Sequence, residues 1–169
     1  MALPQKLKNF NVHDGNHSYL GLAKEVTLPK LARKMEGYRA AGMDGEIQID
    51  MGQEAMELEI KCGGRDAHSI KEFGALTHDA VYRRFIGAYQ SDSTGLTTSV
   101  EIECRGRIQE LDPGSAKPGD DTEETIKYPL SYYKRTENGK VLVEIDIANM
   151  VFNVNGVDLL AAQRAVILG

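Results

Sequence analysis

The sequence comprises 169 residues, of which 41% are hydrophobic and 27% charged, a length for one domain with a sizeable core and a composition that excludes an extensively disordered chain. Lys and Arg number 20 against 25 Asp and Glu, for a formal net charge of -5. The cation excess that releases phosphate counterions is therefore missing, which excludes a protein that grips nucleic acid.

Taken in chain order, the first structural signal is Asp14-Gly15, a dipeptide tolerant of the positive φ of a tight hairpin, between Phe10-Asn11-Val12 and Ser18-Tyr19-Leu20. A basic stretch from Lys30 to Lys34 leads into Gly37-Tyr-Arg-Ala-Ala-Gly-Met-Asp-Gly45. Ile47, Ile49 and Met51 then alternate with Gln48 and Asp50, and after Gly52-Gln53 a second run sets Met56, Leu58, Ile60 and Cys62 against Glu57, Glu59 and Lys61. Period-two alternation of this kind predicts strands with one dry and one wet face. Asp66 is placed to cap a short helix in which Ala67, Ile70 and Phe73 share a face, with Gly74 to end it.

A further strand is predicted from Ser99 through Ile108 to Leu111, with Val100, Ile102, Cys104 and Ile108 on one side and Glu101, Glu103, Arg105 and Arg107 on the other. The loop Asp112 to Asp121, rich in Pro and Gly, connects it to a β region beginning near Thr125. Asn138-Gly139 marks a hairpin between Tyr132-Tyr133 and the strand carrying Val141, Val143, Ile145 and Ile147. From about Val157 to Leu168, Leu159, Leu160, Ala162, Val166 and Ile167 form a helical apolar stripe. The predicted architecture is mainly β: an antiparallel β-sandwich or partial barrel with one short internal helix and a C-terminal helix, in a single domain over residues 1–169.

Catalytic spacings are missing. No phosphate-cradling glycine loop, dinucleotide fingerprint, zincin pair or Gly-x-Ser-x-Gly elbow occurs, so no catalytic residue, metal site or cofactor is expected. Among four histidines the nearest pair, His13 and His17, flanks the Asp14-Gly15 turn without evident further ligands and reads as solvated. Cys62 and Cys104 fall in phase with apolar strand positions, as buried reduced thiols do. The Glu57/Glu59 and Glu101/Glu103 pairs read as wet strand faces, and the acidic loop from Asp112 to Glu124 lacks the ligand spacing of a calcium loop. No apolar stretch approaches the roughly 20 residues of a helical membrane span, and Met1 to Lys8 lacks the apolar block of a signal peptide, so synthesis in a cytoplasm is expected.

An enzyme-silent, strand-rich domain must do something with its sheet edges, and one option is to pair them with another copy. A heterologous contact of that kind closes into a ring or runs on as a filament. Strands with one charged face suit a ring that turns this face toward a water-filled bore. The glycine-rich Gly37 to Gly45 segment, with Tyr38, Arg39 and Met43, suits a loop that orders on docking with a neighbour and equally an ordinary hairpin connection.

An ordered series of motifs carries a family likeness. Leu7-Lys-Asn-Phe-Asn11, Val26-Thr-Leu-Pro-Lys-Leu31, Tyr38-Arg-Ala-Ala-Gly-Met-Asp44, Ile49-Asp-Met-Gly52 and Glu54-Ala-Met-Glu57 come first. Arg105-Gly-Arg107, Glu110-Leu-Asp-Pro-Gly114, Lys117-Pro-Gly119, Ser131-Tyr-Tyr-Lys134, Gly139-Lys140, Glu144-Ile-Asp146 and Asn155-Gly-Val-Asp158 follow. Over essentially residues 5 to 169 the chain resembles the major tail tube protein of contractile-tailed bacteriophages and of R-type bacteriocins. Around Cys62-Gly-Gly64 and Asp66-Ala-His-Ser69 the likeness holds only in pattern.

The resemblance implies a non-catalytic structural protein of the virion, assembled in the host cytoplasm. Its subunits would form hexameric rings that stack into a hollow tube inside a contractile sheath, with baseplate and tail-terminator proteins as further partners. DNA would pass through the lumen without specific binding, and the subunit would not insert into a membrane. Within this picture Tyr38, Arg39, Gly42, Met43 and Asp44 are the expected inter-ring contact, and Gln48, Asp50, Glu57, Glu59 and Lys61 the expected lumen face. Other readings are a type VI secretion tube protein of the same architecture, a monomeric β-barrel holding an apolar ligand, and, least of all, a glycosidase built on paired carboxylates.

Overall fold

Alternating apolar positions find partners in two antiparallel half-sheets that share one long strand in the computed structural model, which describes residues 1–169. That strand, β9 (Glu124–Glu137), follows β1 (Gln5–His13), β2 (Ala23–Thr27), β3 (Arg33–Tyr38), β4 (Ile47–Gln53), β5 (Met56–Cys62), β6 (Val81–Ser91), β7 (Thr97–Gly106) and β8 (Glu110–Asp112). After it come β10 (Lys140–Asp146), β11 (Val151–Val154) and β12 (Val157–Asp158); the helices are α1 (Ala67–Glu72) and α2 (Ala161–Leu168). The first half of β9 pairs with β5 and β8, and β5 with β2, while the second half joins the order β1-β6-β7-β9-β10-β11-β12. The two halves close on a core of Val12, Met56, Leu58, Ile60, Phe85, Ile102, Ile126 and Ile145 with Tyr19, Tyr128 and Tyr133. Cys62 and Cys104 lie in it as free thiols, and burial pushes each up to about 12, so both stay protonated and unreactive.

The bend of β9 demands a glycine on its neighbour. Pairing of β7 with β9 skips a register between Arg105 and Gly106, where Gly106 faces Leu130. A Cβ on Gly106 would stand 2.1 Å from the Pro129 carbonyl oxygen, inside any allowed contact. This close approach also explains why the predicted Ser99–Leu111 strand is two, β7 and β8, separated at the bulge. Gly106→Ala is expected to cost about 2 kcal/mol or more, since backbone and not a flexible side chain must move; urea unfolding of the two proteins measures it.

The Asn138-Gly139 hairpin forms as predicted, with φ of 48° and 80°. The Asp14-Gly15 turn also forms, but its second arm is not a strand. Only a His13–Ser18 bridge exists there, and Tyr19 drops into the core while its carbonyl takes the amides of Leu22 and Ala23. β1 pairs with β6 instead. Asp66 caps α1 by accepting the His68 amide, yet Ile70 and Phe73 are exposed and Ser69 is the buried residue. The C-terminal helix starts four residues later than expected because Val157 and Asp158 pair with β11, and none of its residues is buried.

Candidate functional site

The Ile47 strand lies outside the antiparallel sandwich that its alternation predicts for it. β3 and β4 pair only with each other, as a two-stranded sheet apart from the sandwich. Cross-strand register puts Met35 opposite Asp50 and Gly37 opposite Gln48 on one face, Glu36 opposite Ile49 and Tyr38 opposite Ile47 on the other. One side is thus mainly polar and the other largely apolar. With no second layer over either, Tyr38 is 53%, Ile47 58% and Ile49 42% exposed. A hairpin of this sort has no stability of its own in water; it is held by its base and lacks a cover.

Side chains supply the anchoring at the base. The Arg33 Nε donates to both oxygens of Asp50 at 3.1 and 2.9 Å, and its guanidinium lies 4.7 Å over the Phe152 ring of β11. Gln53 and Glu54 donate to the Ala32 carbonyl. The Arg33 hydrogen bonds, helped by the Gly52 amide, hold the Asp50 carboxyl below its ordinary value of 3.8. Any stability this group contributes is therefore full above the unfolded value and is lost as pH falls through the lower folded one. In Arg33→Ala the Asp50 titration, followed by NMR, is expected to move up toward 3.8.

At the tip, Tyr38, Arg39, Gly42, Met43 and Asp44 make a shaped turn. The Met43 amide donates to the Ala40 carbonyl at 3.1 Å, Arg39 Nε donates to the Met43 carbonyl, and the Ala40 amide meets the Met43 sulfur at 3.2 Å. Gly42 has φ +84°, a conformation that L side chains avoid, with open space around it. The tip presents its surface already ordered.

The five expected lumen residues fall on two sheets. Gln48 and Asp50 share the polar face of the hairpin, whereas Glu57, Glu59 and Lys61 share one face of β5 in the sandwich, two residues further along the chain. Lys61 approaches Glu25 at 3.8 Å, while Glu57 and Glu59 have no ion pair. Two features escaped sequence reasoning. A cleft of about 770 Å³ opens between hairpin base and C-terminal segment, lined by Arg33, Met51, Ile147, Phe152 and Leu159 among others. Beyond it Val166, Ile167 and Leu168 of α2 stand 63–81% exposed. An apolar helical stripe in the sequence is the signal for the second, but it does not say whether the stripe meets its own chain.

Across the sandwich, the outward face of β6, β7 and β9 is a lattice of opposite charges. Arg84 donates to Glu101 at 2.7 Å, Lys134 lies 3.6 Å from Glu103, and the Tyr82 hydroxyl donates to Glu103 at 2.7 Å. Of the two expected wet carboxylate rows, Glu101 and Glu103 are neutralised across the strands, whereas Glu57 and Glu59 are not. His13 and His17 share no ligand set: His13 bonds Asn11, and His17 stacks on His68 at 4.6 Å.

Residues 4–167 match the family model described as phage tail tube protein FII. The chain is 49% identical over 167 residues to the tail tube protein of Escherichia phage P2, covering 97% of each. It is 36% identical over 161 residues to the major tail tube protein of Serratia phage KSP20, covering 94% of this chain and 92% of that one. Its fold is similar to a chain in the sheath/tube terminator of the PVC extracellular contractile injection system, with TM-score 0.59 at 11% identity, covering 79% of this chain and 96% of that one. A chain of the anti-feeding prophage tube-terminating cap matches with TM-score 0.57 at 11% identity, over 79% and 91%. The chain belongs to the phage tail tube protein family, a family of structural and not catalytic proteins.

Proposed function

We propose that this tail tube subunit assembles into hexameric rings that stack into a hollow tube within a contractile sheath, and that DNA passes along the bore. The observation that carries the reading is the β3–β4 hairpin, whose apolar face of Tyr38, Ile47 and Ile49 is uncovered and whose outer strand edges are unpaired within the chain. Neighbouring subunits complete both by adding strands to those edges, and a repeated heterologous contact closes the ring. Gln48 and Asp50, with Glu57, Glu59 and Lys61, then face the bore. An acidic or neutral wall lets a polyanion slide, whereas a basic wall would hold it at each phosphate.

The ordered tip from Tyr38 to Asp44 packs against the adjacent ring, and the sheath, baseplate and tail terminator meet the outside of the tube. The protein thus reaches the virion from the host cytoplasm. Negative-stain microscopy of the purified chain at high concentration tests this reading. Rings or rods with an open bore are expected, and single particles at every concentration, with or without an assembly initiator, would refute it.

A further inference from the structure

A second cluster of chemistry-bearing side chains lies away from the hairpin, where the Asp14-Gly15 turn meets α1. His68 and Glu72 stand one helical turn apart on the same face of α1, and Asp14 reaches them from the turn. Their nearest ligand atoms, Asp14 Oδ2, His68 Nε2 and Glu72 Oε1, all lie within 4.8 Å of one another, each side chain partly buried. His68 Nε2 thus faces two carboxylate oxygens at once, hydrogen-bonded to Asp14 and 2.8 Å from Glu72.

The remaining bonds of each carboxylate orient it toward the imidazole. Asp14 Oδ1 accepts the amides of His17 at 2.6 Å and Asn16 at 3.2 Å, which leaves Oδ2 to face His68. Glu72 is gripped by Arg83 through Nη1 at 3.1 Å and Nη2 at 3.2 Å. His17 stacks on the His68 ring from one side at 4.6 Å. Outer bonds of this kind fix the direction of metal-ligating side chains.

Charge points the same way. The bonded network includes the carboxylates of Asp14, Asp66 and Glu72 with Arg83 as its one guanidinium. The network thus holds two more carboxylates than guanidiniums. A cation belongs where the three ligand atoms converge, and two oriented carboxylates are more than a single proton requires.

We infer that Asp14, His68 and Glu72 form a binding site for a first-row divalent transition-metal ion of the zinc class. One imidazole nitrogen with two carboxylate oxygens suits Zn²⁺, Co²⁺ or Ni²⁺; the nitrogen disfavours Mg²⁺ and Ca²⁺, and the lack of thiolate disfavours Cu(I). Solvent completes the coordination, since the His68 side chain is 36% exposed. The ion ties the turn after β1 to α1, and so fastens the two segments that cover the Arg83 end of the core.

The test uses the full chain stripped with EDTA and dialysed, then titrated with Co²⁺ for its visible d–d band and with Zn²⁺ for thermal stability. One equivalent of Co²⁺ is expected to bind, and saturating Zn²⁺ to raise Tm by roughly 5–10 °C, while Mg²⁺ does neither. His68→Gln is expected to keep its circular dichroism spectrum and lose both responses; Asp14→Asn serves as the second variant should His68→Gln fail to fold. Three results would overturn the assignment: no Co²⁺ band and no Zn²⁺ shift, a Zn²⁺ shift that both variants retain, or a stability gain that follows only protonation of His68 on acidification.

Discussion

Replacing Ile47 and Ile49 together by Asp is expected to abolish tube formation while leaving the subunit folded. Both side chains are already exposed, at 58% and 42%, and touch no residue of the core. Substitutions at such positions change stability by about 0.5 kcal/mol or less, so Tm should move by roughly 2 °C or less per site. Assembly is a different matter. If a neighbour covers this face, every subunit contact in every ring must bury two unpaired carboxylates, each at a cost of several kcal/mol. Circular dichroism and electron micrographs of the same preparation separate the two effects. Normal tubes from the variant would remove the apolar face of the hairpin from the interface.

Arg83→Ala should produce the largest loss of subunit stability. Arg83 is 2% exposed, and its guanidinium binds Glu72, the Tyr82 carbonyl and Ser69 between the rings of Tyr19 and Tyr128. Desolvation works against its charge, yet Tyr128, Tyr19 and Glu72 together hold its pKa above the ordinary value. Removing the cation leaves Glu72 uncompensated, which costs about 3–5 kcal/mol and lowers Tm by about 10 °C. Arg83→Met combined with Glu72→Gln should lose about 1–3 kcal/mol less than the sum of its parts, because the second change removes the stranded charge. Strict additivity in chemical denaturation would show that the pair is not coupled.

Much of this was legible from residue spacing where one chain decides the outcome. Met56, Leu58, Ile60 and Cys62 alternate because a second sheet half covers one side of β5, and all four are buried. Ile47, Ile49 and Met51 alternate just as regularly and are exposed, since period two reports that a face wants cover and not which molecule provides it. The same holds for α2, whose apolar stripe was visible and whose lack of an intrachain partner was not. Arg83 went unread for a different reason. Its position on β6 is in phase with Val81 and Phe85, and a buried arginine is recognised only once Glu72 and the two tyrosines converge on it. Asp14, His68 and Glu72 are likewise spread over 59 positions of sequence and meet only because Tyr19 turns inward and draws the Asp14 turn against α1. The order of family motifs pointed to the tail tube family, whereas residue-level placement of lumen and ring contacts needs neighbouring copies.

A helical reconstruction of assembled tubes by electron cryo-microscopy shows directly whether the hairpin is the element that joins subunits. The β3–β4 hairpins of neighbouring subunits are expected to join edge to edge, with Gln48 and Asp50 facing the bore and Ile47 and Ile49 covered by adjacent protein. Tubes in which those hairpins lie apart, with Ile47 and Ile49 facing water, would contradict this expectation.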